Sequence, residues 1–217
     1  ILNYQIMTDE RTFRAEAYYK TYHNLMEDTI AGNFFDGSDT ERKNTGSGFA
    51  RGVDIFWRDK KTIKNSDYWI SYSFVDTERK YLNSENLVQP NFVANHSLSV
   101  VFKYYIAKIN TSVGATYSFT SGWPYYNPER NPDDFLSDKT KTYNDLSLSF
   151  SYLTNIGGNF TVIFASVGNT TGTRHIYGYR YPVVPGRERV NITDPSRWTY
   201  FIGMFISFAG SSGGTQP

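Results

Sequence analysis

The chain has 217 residues, of which 20% are charged and 18% are Tyr, Phe or Trp. Its 22 Lys and Arg nearly cancel 21 Asp and Glu to leave +1, so it lacks the basic face that nucleic acid requires and no nucleic-acid partner is expected. The absence of cysteine removes disulfides, thiolate metal sites and cysteine nucleophiles; the aromatics exclude a disordered chain, and no apolar run reaches the roughly 18 residues of a membrane helix.

In chain order, residues 1–7 read as the tail of a strand that begins in mid-pattern, as expected of a processed chain or a fragment. Eight longer stretches follow, at about 12–25, 46–58, 67–80, 95–106, 111–121, 142–153, 159–181 and 197–208. Each alternates with period two, is rich in Tyr, Phe, Val, Thr and Ser, and lacks helical caps and 3.6 periodicity. That predicts strands. Most exceed ten residues, against about 5–6 in globular proteins, while a tilted strand needs about 9–11 to cross a bilayer.

The alternation is clean in four of them. Leu98, Val100, Phe102, Tyr104 and Ile106 share a face opposite Ser97, Ser99, Lys103 and Tyr105. Val113, Ala115, Tyr117 and Phe119 oppose Ser112, Gly114, Thr116 and Ser118. Leu146, Leu148, Phe150 and Tyr152 oppose Asp145, Ser147, Ser149 and Ser151. Trp198, Tyr200, Ile202, Met204, Ile206 and Phe208 form one face of the last strand. No charge falls on any of these apolar faces.

A soluble sandwich also has one apolar face, so two further features decide. Trp198, Tyr200, Tyr68, Tyr104, Tyr152 and Phe208 lie near strand ends, where an aromatic girdle belongs. The connections alternate between short (8–11, 59–66, 107–110, 154–158) and long (26–45, 81–94, 122–141, 182–196), the rule of outer-membrane barrels. The predicted fold is all-β: an antiparallel transmembrane β-barrel segment of about 8–9 strands over residues 1–208. The Gly/Ser-rich residues 209–217 read as a flexible tail or linker.

Val100, Phe102, Leu148, Phe150, Ile202, Met204 and Phe208 are expected to face lipid. Charge facing hydrocarbon costs about 2–4 kcal/mol for Arg or Lys at the midplane, so Arg14, Glu16, Tyr18, Lys20, Asp54, Arg58, Lys103 and Asp145 are expected to face a wet lumen. Trp123, Tyr125, Tyr126 and Arg130 cluster in one long connection. Aromatics beside a cation can stack on a sugar, siderophore or peptide, and equally can pack loop against loop or rest on lipopolysaccharide.

Particular residues carry a family resemblance. The run 48–58, with Gly48, Phe49, Arg51, Gly52, Val53 and Asp54, resembles the G-[YF]-x-R-G-[VI]-[DE] strand of TonB-dependent outer-membrane receptors. Ala17, Tyr18, Tyr19 and Lys20, with Tyr22, Asn24 and Leu25, are similar to the strand before it. Residues 169–172 with Tyr177, Gly178 and Tyr179 resemble the penultimate strand, and 200–208 the terminal one. In that family the barrel has many more strands around an N-terminal plug, and a motif before the plug engages TonB. The resemblance therefore implies a C-terminal barrel portion of a nutrient importer for siderophore, oligosaccharide or peptide, in the outer membrane of a Gram-negative bacterium. Its expected partners are outer-membrane lipid, the remaining barrel strands and plug domain, TonB through the plug side, and a surface lipoprotein. Residues 209–217, past the expected terminal Phe208, depart from the pattern.

Other chemistry finds no support. His23, His96 and His175 have no metal-ligand spacing, and no nucleophile elbow frames a Ser-His-Asp set. Asp133 and Asp134 lack the oxygen spacing of a calcium loop, and no phosphate-binding glycine loop occurs. The Asn-x-Ser/Thr triplets at Asn95, Asn110, Asn159, Asn169 and Asn191 fall largely at strand edges and turns. No cofactor, metal or catalytic residue is expected, and no enzymatic activity. Two rival readings remain: a small self-closed eight-stranded outer-membrane barrel with a structural or adhesive role, and a soluble β-sandwich binding module. The first would be underfilled by the small inward residues.

Overall fold

The structure, a computed structural model, describes residues 1–30, 40–80, 84, 86–182 and 188–208. In chain order the strands are β1 (Leu2–Met7), β2 (Arg11–Ile30), β3 (Thr40–Asp59), β4 (Ser66–Arg79), β5 (His96–Ile106), β6 (Thr111–Thr120), β7 (Pro124–Tyr125), β8 (Asp138–Lys139), β9 (Tyr143–Ile156), β10 (Asn159–Gly168), β11 (Ile176–Arg180), β12 (Val190–Thr193) and β13 (Thr199–Ser207). Two single 3₁₀ turns, Ala107–Ile109 and Pro132–Asp134, are the helical elements of the described residues.

Nine strands form one antiparallel sheet in the order β1-β2-β3-β4-β5-β6-β9-β10-β13, and β7-β8 and β11-β12 are separate two-stranded ribbons. The sheet is a meander in which every strand pairs with its predecessor in the wall. β2 pairs with β1 and β3, and β13 pairs with β10; the edge strands β1 and β13 do not pair with each other, nor does β13 pair with β2, so the described sheet does not close on itself.

Period two survives because the ladders run without a slip from β3 through β10. A one-residue slip would exchange the two faces. The short connections use residues that accept positive φ: Asn65 at 61° and Asn110 at 47°, and the pair Gly157 and Gly158 at 58° and 81° between β9 and β10.

Two expected elements differ. The strand predicted over 159–181 breaks at Gly168. Asn169 turns the chain at φ 50°, Thr170 donates N–H and hydroxyl to the Leu146 carbonyl at 2.7 Å each, and the chain resumes as β11 in another ribbon. β11 alternates as β10 does, so periodicity could not show the break. The connection predicted over 26–45 is shorter, because β2 and β3 pair on to Ile30 and Thr40 past bulges around Leu25. Residues 183–186 of the proline-glycine turn, and the predicted tail 209–217, lie outside the described residues.

Among the described residues only Ala50 and Leu136 are buried hydrophobics. The sheet is one layer thick over most of its area, and its apolar side chains stand uncovered: Ile202 is 81% exposed and Met204 56%. A β-sandwich covers that face with a second sheet. Here nothing in the described chain covers it.

Candidate functional site

The cross-strand registers sort side chains onto two faces. On one face Tyr4, Ala15, Ile55, Tyr72, Leu98 and Phe119 are successive partners, as are Val100, Tyr117 and Leu146, and Leu148, Val167 and Tyr200, and Phe13 lies on the same face. Phe102, Phe150, Ile202 and Met204 belong to it. Phe208 lies one residue past β13, 75% exposed, in step with Met204 and Ile206. Ion pairs mark the two ends of this face on β3. Arg51 stands opposite Asp76 at 2.8 Å, and Asp59 receives Arg11 at 3.0 Å. Between them lie Val53, Ile55 and Trp57. Eight residues at ~3.3 Å each span about 26 Å along the strand, on the scale of the about 25 Å apolar band of outer-membrane barrels before tilt.

The other face holds Arg14, Glu16, Tyr18, Lys20, Asp54, Arg58, Lys103 and Asp145. Arg14, Glu16, Asp54, Phe56 and Ser71 line a cavity of about 370 Å³. The cations there rest on rings: Arg14 lies 5.8 Å from Phe56, Lys20 5.0 Å from Tyr18, and Arg58 and Lys103 5.6 and 5.2 Å from Trp69. Arg58 also donates to Asp67 at 2.8 Å, Asn3 donates to Glu16 at 3.0 Å, and Ser147 to Asp145 at 2.6 Å.

Gly52 explains part of the 48–54 motif. Tyr18 faces it across the ladder, and a Cβ there would stand 2.5 Å from the Tyr18 hydroxyl and 2.4 Å from the Phe74 carbonyl oxygen. Only a bare α-carbon lets the ring lie flat on β3.

The mouth beyond the 51–76 ion pair is built by the two ribbons. In the first, β7 pairs with β8, and the Trp123 N–H donates to the Thr140 hydroxyl at 2.9 Å. Arg130 is spent on Asp138 at 3.0 Å, and Asn127 donates to the same carboxylate at 2.6 Å. These two bonds hold the Asp138 carboxyl below the usual carboxylate range. Tyr125 packs on Tyr179 of β11 at 4.6 Å, while Arg189 lies 4.2 Å from the Tyr179 ring and donates to the Tyr125 hydroxyl at 2.9 Å. The four expected loop contacts thus part company. Tyr125 joins loop to loop, Arg130 braces its own ribbon, Trp123 is half-buried, and Tyr126 is 57% exposed with its ring on Phe135.

The second ribbon is anchored at its base by the buried Asn169. Its amide donates to the Thr173 and Arg197 carbonyls at 2.7 and 2.6 Å and accepts from the Thr173 N–H at 3.1 Å. One side chain therefore closes a loop whose ends lie 24 or more residues apart in sequence. His175, Tyr177, Asp194 and Arg197, with Tyr143 and Asp145, line a cavity of about 250 Å³. Burial and a hydrogen bond to Asp194 push the Tyr177 hydroxyl up to about 12. Sequence reasoning weighed His175 only as a metal ligand and missed Arg189 and Asp194, since a lone His, Arg or Asp in a polar connection carries no period to read. Among the described residues no group of three His, Asp or Glu could hold a metal.

The chain is similar in fold to the ferric yersiniabactin uptake receptor FyuA from Yersinia pestis, at a TM-score of 0.67 and 15% identity, over 94% of this chain and 29% of that one. It is likewise similar to the FrpB iron transporter from Neisseria meningitidis, at a TM-score of 0.65 and 10% identity, over 93% of this chain and 30% of that one. The chain spans under a third of the length of either structure. No family model matches it, and no curated protein does. Its fold is that of a segment of a large antiparallel outer-membrane β-barrel.

Proposed function

We propose that this chain is barrel wall of a TonB-dependent nutrient importer in the outer membrane of a Gram-negative bacterium. The observation that carries the reading is the one-layer sheet with an uncovered apolar face backed by a charged one. In water that apolar face would cost its full hydration, whereas in a bilayer it is solvated by lipid and only the strand edges need partners. On this reading Val100, Phe102, Leu148, Phe150, Ile202, Met204 and Phe208 face lipid. Arg14, Glu16, Lys20, Asp54, Arg58, Lys103 and Asp145 face the lumen, where they meet water and the plug. β1 and β13 each offer a free edge to further strands, and TonB acts through the plug side. FyuA is a ferric yersiniabactin uptake receptor and FrpB an iron transporter, which favours an iron chelate over oligosaccharide or peptide as cargo. Tyr126 is the loop residue best placed to touch it, and a surface lipoprotein would seat on the same loops.

The test is uptake by cells that carry the full-length protein, against the same cells lacking its gene. Radioiron delivered as a ferric chelate enters the first strain and not the second, and uptake stops when TonB is removed. Uptake that persists without TonB would end the importer reading. Retention of iron uptake by the gene-deleted strain, together with lost growth on a glycan or peptide, would move the cargo to that class.

A further inference from the structure

We propose that His175 and Asp194 form a proton-dependent latch that holds the β11–β12 ribbon against the top of β9. The inference concerns how the mouth closes and is independent of which cargo passes it.

His175 stands between the Asn169 turn and β11 and is 4% exposed. Its Nε2 lies 2.8 Å from the carbonyl oxygen of Asn144 on β9. Its Nδ1 lies 3.2 Å from the carboxylate of Asp194, just past β12. A carbonyl and a carboxylate can only accept, and a neutral imidazole has one N–H to give. With a single N–H, one ring nitrogen would turn its lone pair on an oxygen. Both contacts become hydrogen bonds only when the His175–Asp194 pair holds one further proton, most simply as imidazolium beside carboxylate. Such charge-assisted bonds are the strong ones.

The surroundings suit that proton. From β9, the Tyr143 ring lies 4.2 Å from the imidazole, a face that attracts a cation, and Asp145 lines the same cavity. From β11, Tyr177 donates to the Asp194 carboxylate at 3.0 Å. Before β13, Arg197 lines the cavity and opposes the charge. Tyr177 keeps its own proton until strongly alkaline pH. When the proton leaves, one of the two bonds that join Asp194 through the imidazole to Asn144 is lost. The Asn169 tie remains below it, so the ribbon swings about its base. Arg189 and Tyr125 link it to the β7–β8 ribbon, so both move together.

The test is amide hydrogen exchange on the full-length protein in lipid, corrected for the intrinsic pH dependence of exchange. Between about pH 5 and about pH 8.5, protection of the β11 and β12 amides falls by roughly tenfold, the scale of one lost charge-assisted hydrogen bond, while β9 and β10 keep theirs. His175→Gln and Asp194→Asn each flatten the profile; Tyr177→Phe keeps its slope. A flat wild-type profile, or an unchanged slope in both His175→Gln and Asp194→Asn, overturns the latch. Loss of the slope in Tyr177→Phe also overturns it, by assigning the proton elsewhere. Unchanged protection of β9 and β10 in each variant shows that the barrel has folded.

Discussion

The β9–β10 hairpin and the β11–β12 ribbon follow one another in the chain and are held by different means. In the hairpin, nine successive residue pairs run in register, and the side chains need only alternate. The ladder supplies the backbone hydrogen bonds, and any apolar residue of suitable shape serves the uncovered face. The ribbon has four registered pairs and a bulge, too few to stand alone. It is placed instead by named side chains, Asn169, His175, Asp194 and Arg189. A wall built on pattern tolerates change within the pattern; a mouth built on particular bonds does not.

The largest expected effect tests the wall. With the proposed lipid placement, Val100→Arg sets a charge in hydrocarbon and destabilises the folded protein by about 2–4 kcal/mol. Ser99→Arg, one residue away on the other face, changes stability far less. Urea titration of folding into lipid vesicles measures both. Equal losses at the two positions would break the contrast between faces.

Next comes a position where the wall has a particular requirement. Gly52→Ala drives a Cβ into the Tyr18 hydroxyl and the Phe74 carbonyl, an overpacking expected to cost about 1–3 kcal/mol. Tyr18→Ala in the same background recovers only part of it, because the carbonyl cannot withdraw. The same titration reads the result.

In the mouth, Asn169→Ala removes the amide that ties Thr173 to Arg197. Each lost hydrogen bond costs about 0.5–1.5 kcal/mol, and the cost is local. Limited proteolysis then cuts within 173–197 while the sheet remains intact. Cleavage spreading into β9 or β10 would mean that mouth and wall are one cooperative unit.

The smallest effect is electrostatic. Arg130 and Asn127 hold the Asp138 carboxyl below its ordinary range, so its folded value is depressed. The stabilisation it lends the β7–β8 ribbon is present above the unfolded carboxylate pKa and is lost as pH falls through the folded one. Exchange protection of residues 124–139 is therefore steady from neutral pH down to about pH 4 and falls below it. Arg130→Gln moves that fall to higher pH, and salt weakens it in the wild type because the Arg130 side of the pair is exposed.

How much of this was legible follows from the same contrast. Val100 and Phe102 could be assigned to one sheet face and Ser99 and Lys103 to the other, because alternation in a single strand is a local property. The run with Arg51, Gly52 and Asp54 was recognisable too, although the reason for Gly52 became visible only when Tyr18 was found lying over it. The 159–181 stretch misled for a physical reason. β10 and β11 alternate alike, and what separates them is the Asn169 turn, fastened through Thr170 to the Leu146 carbonyl some 24 residues earlier.

Tyr125 and Arg130 stood together in one loop as candidates either for ligand contact or for packing loop against loop. Their partners proved to be Tyr179, Arg189 and Asp138, one from the same ribbon and two from the other. Composition and period two by themselves determined the strand class, the approximate strand count, the two faces and the alternation of short and long connections, since each depends on near neighbours in sequence. Only the tertiary structure decided that the described sheet stays open, that 159–181 is two strands, and that His175 lies buried between two acceptors. Those facts depend on which distant segments meet, and a backbone carbonyl such as that of Asn144 leaves no mark in the sequence of the residue it receives.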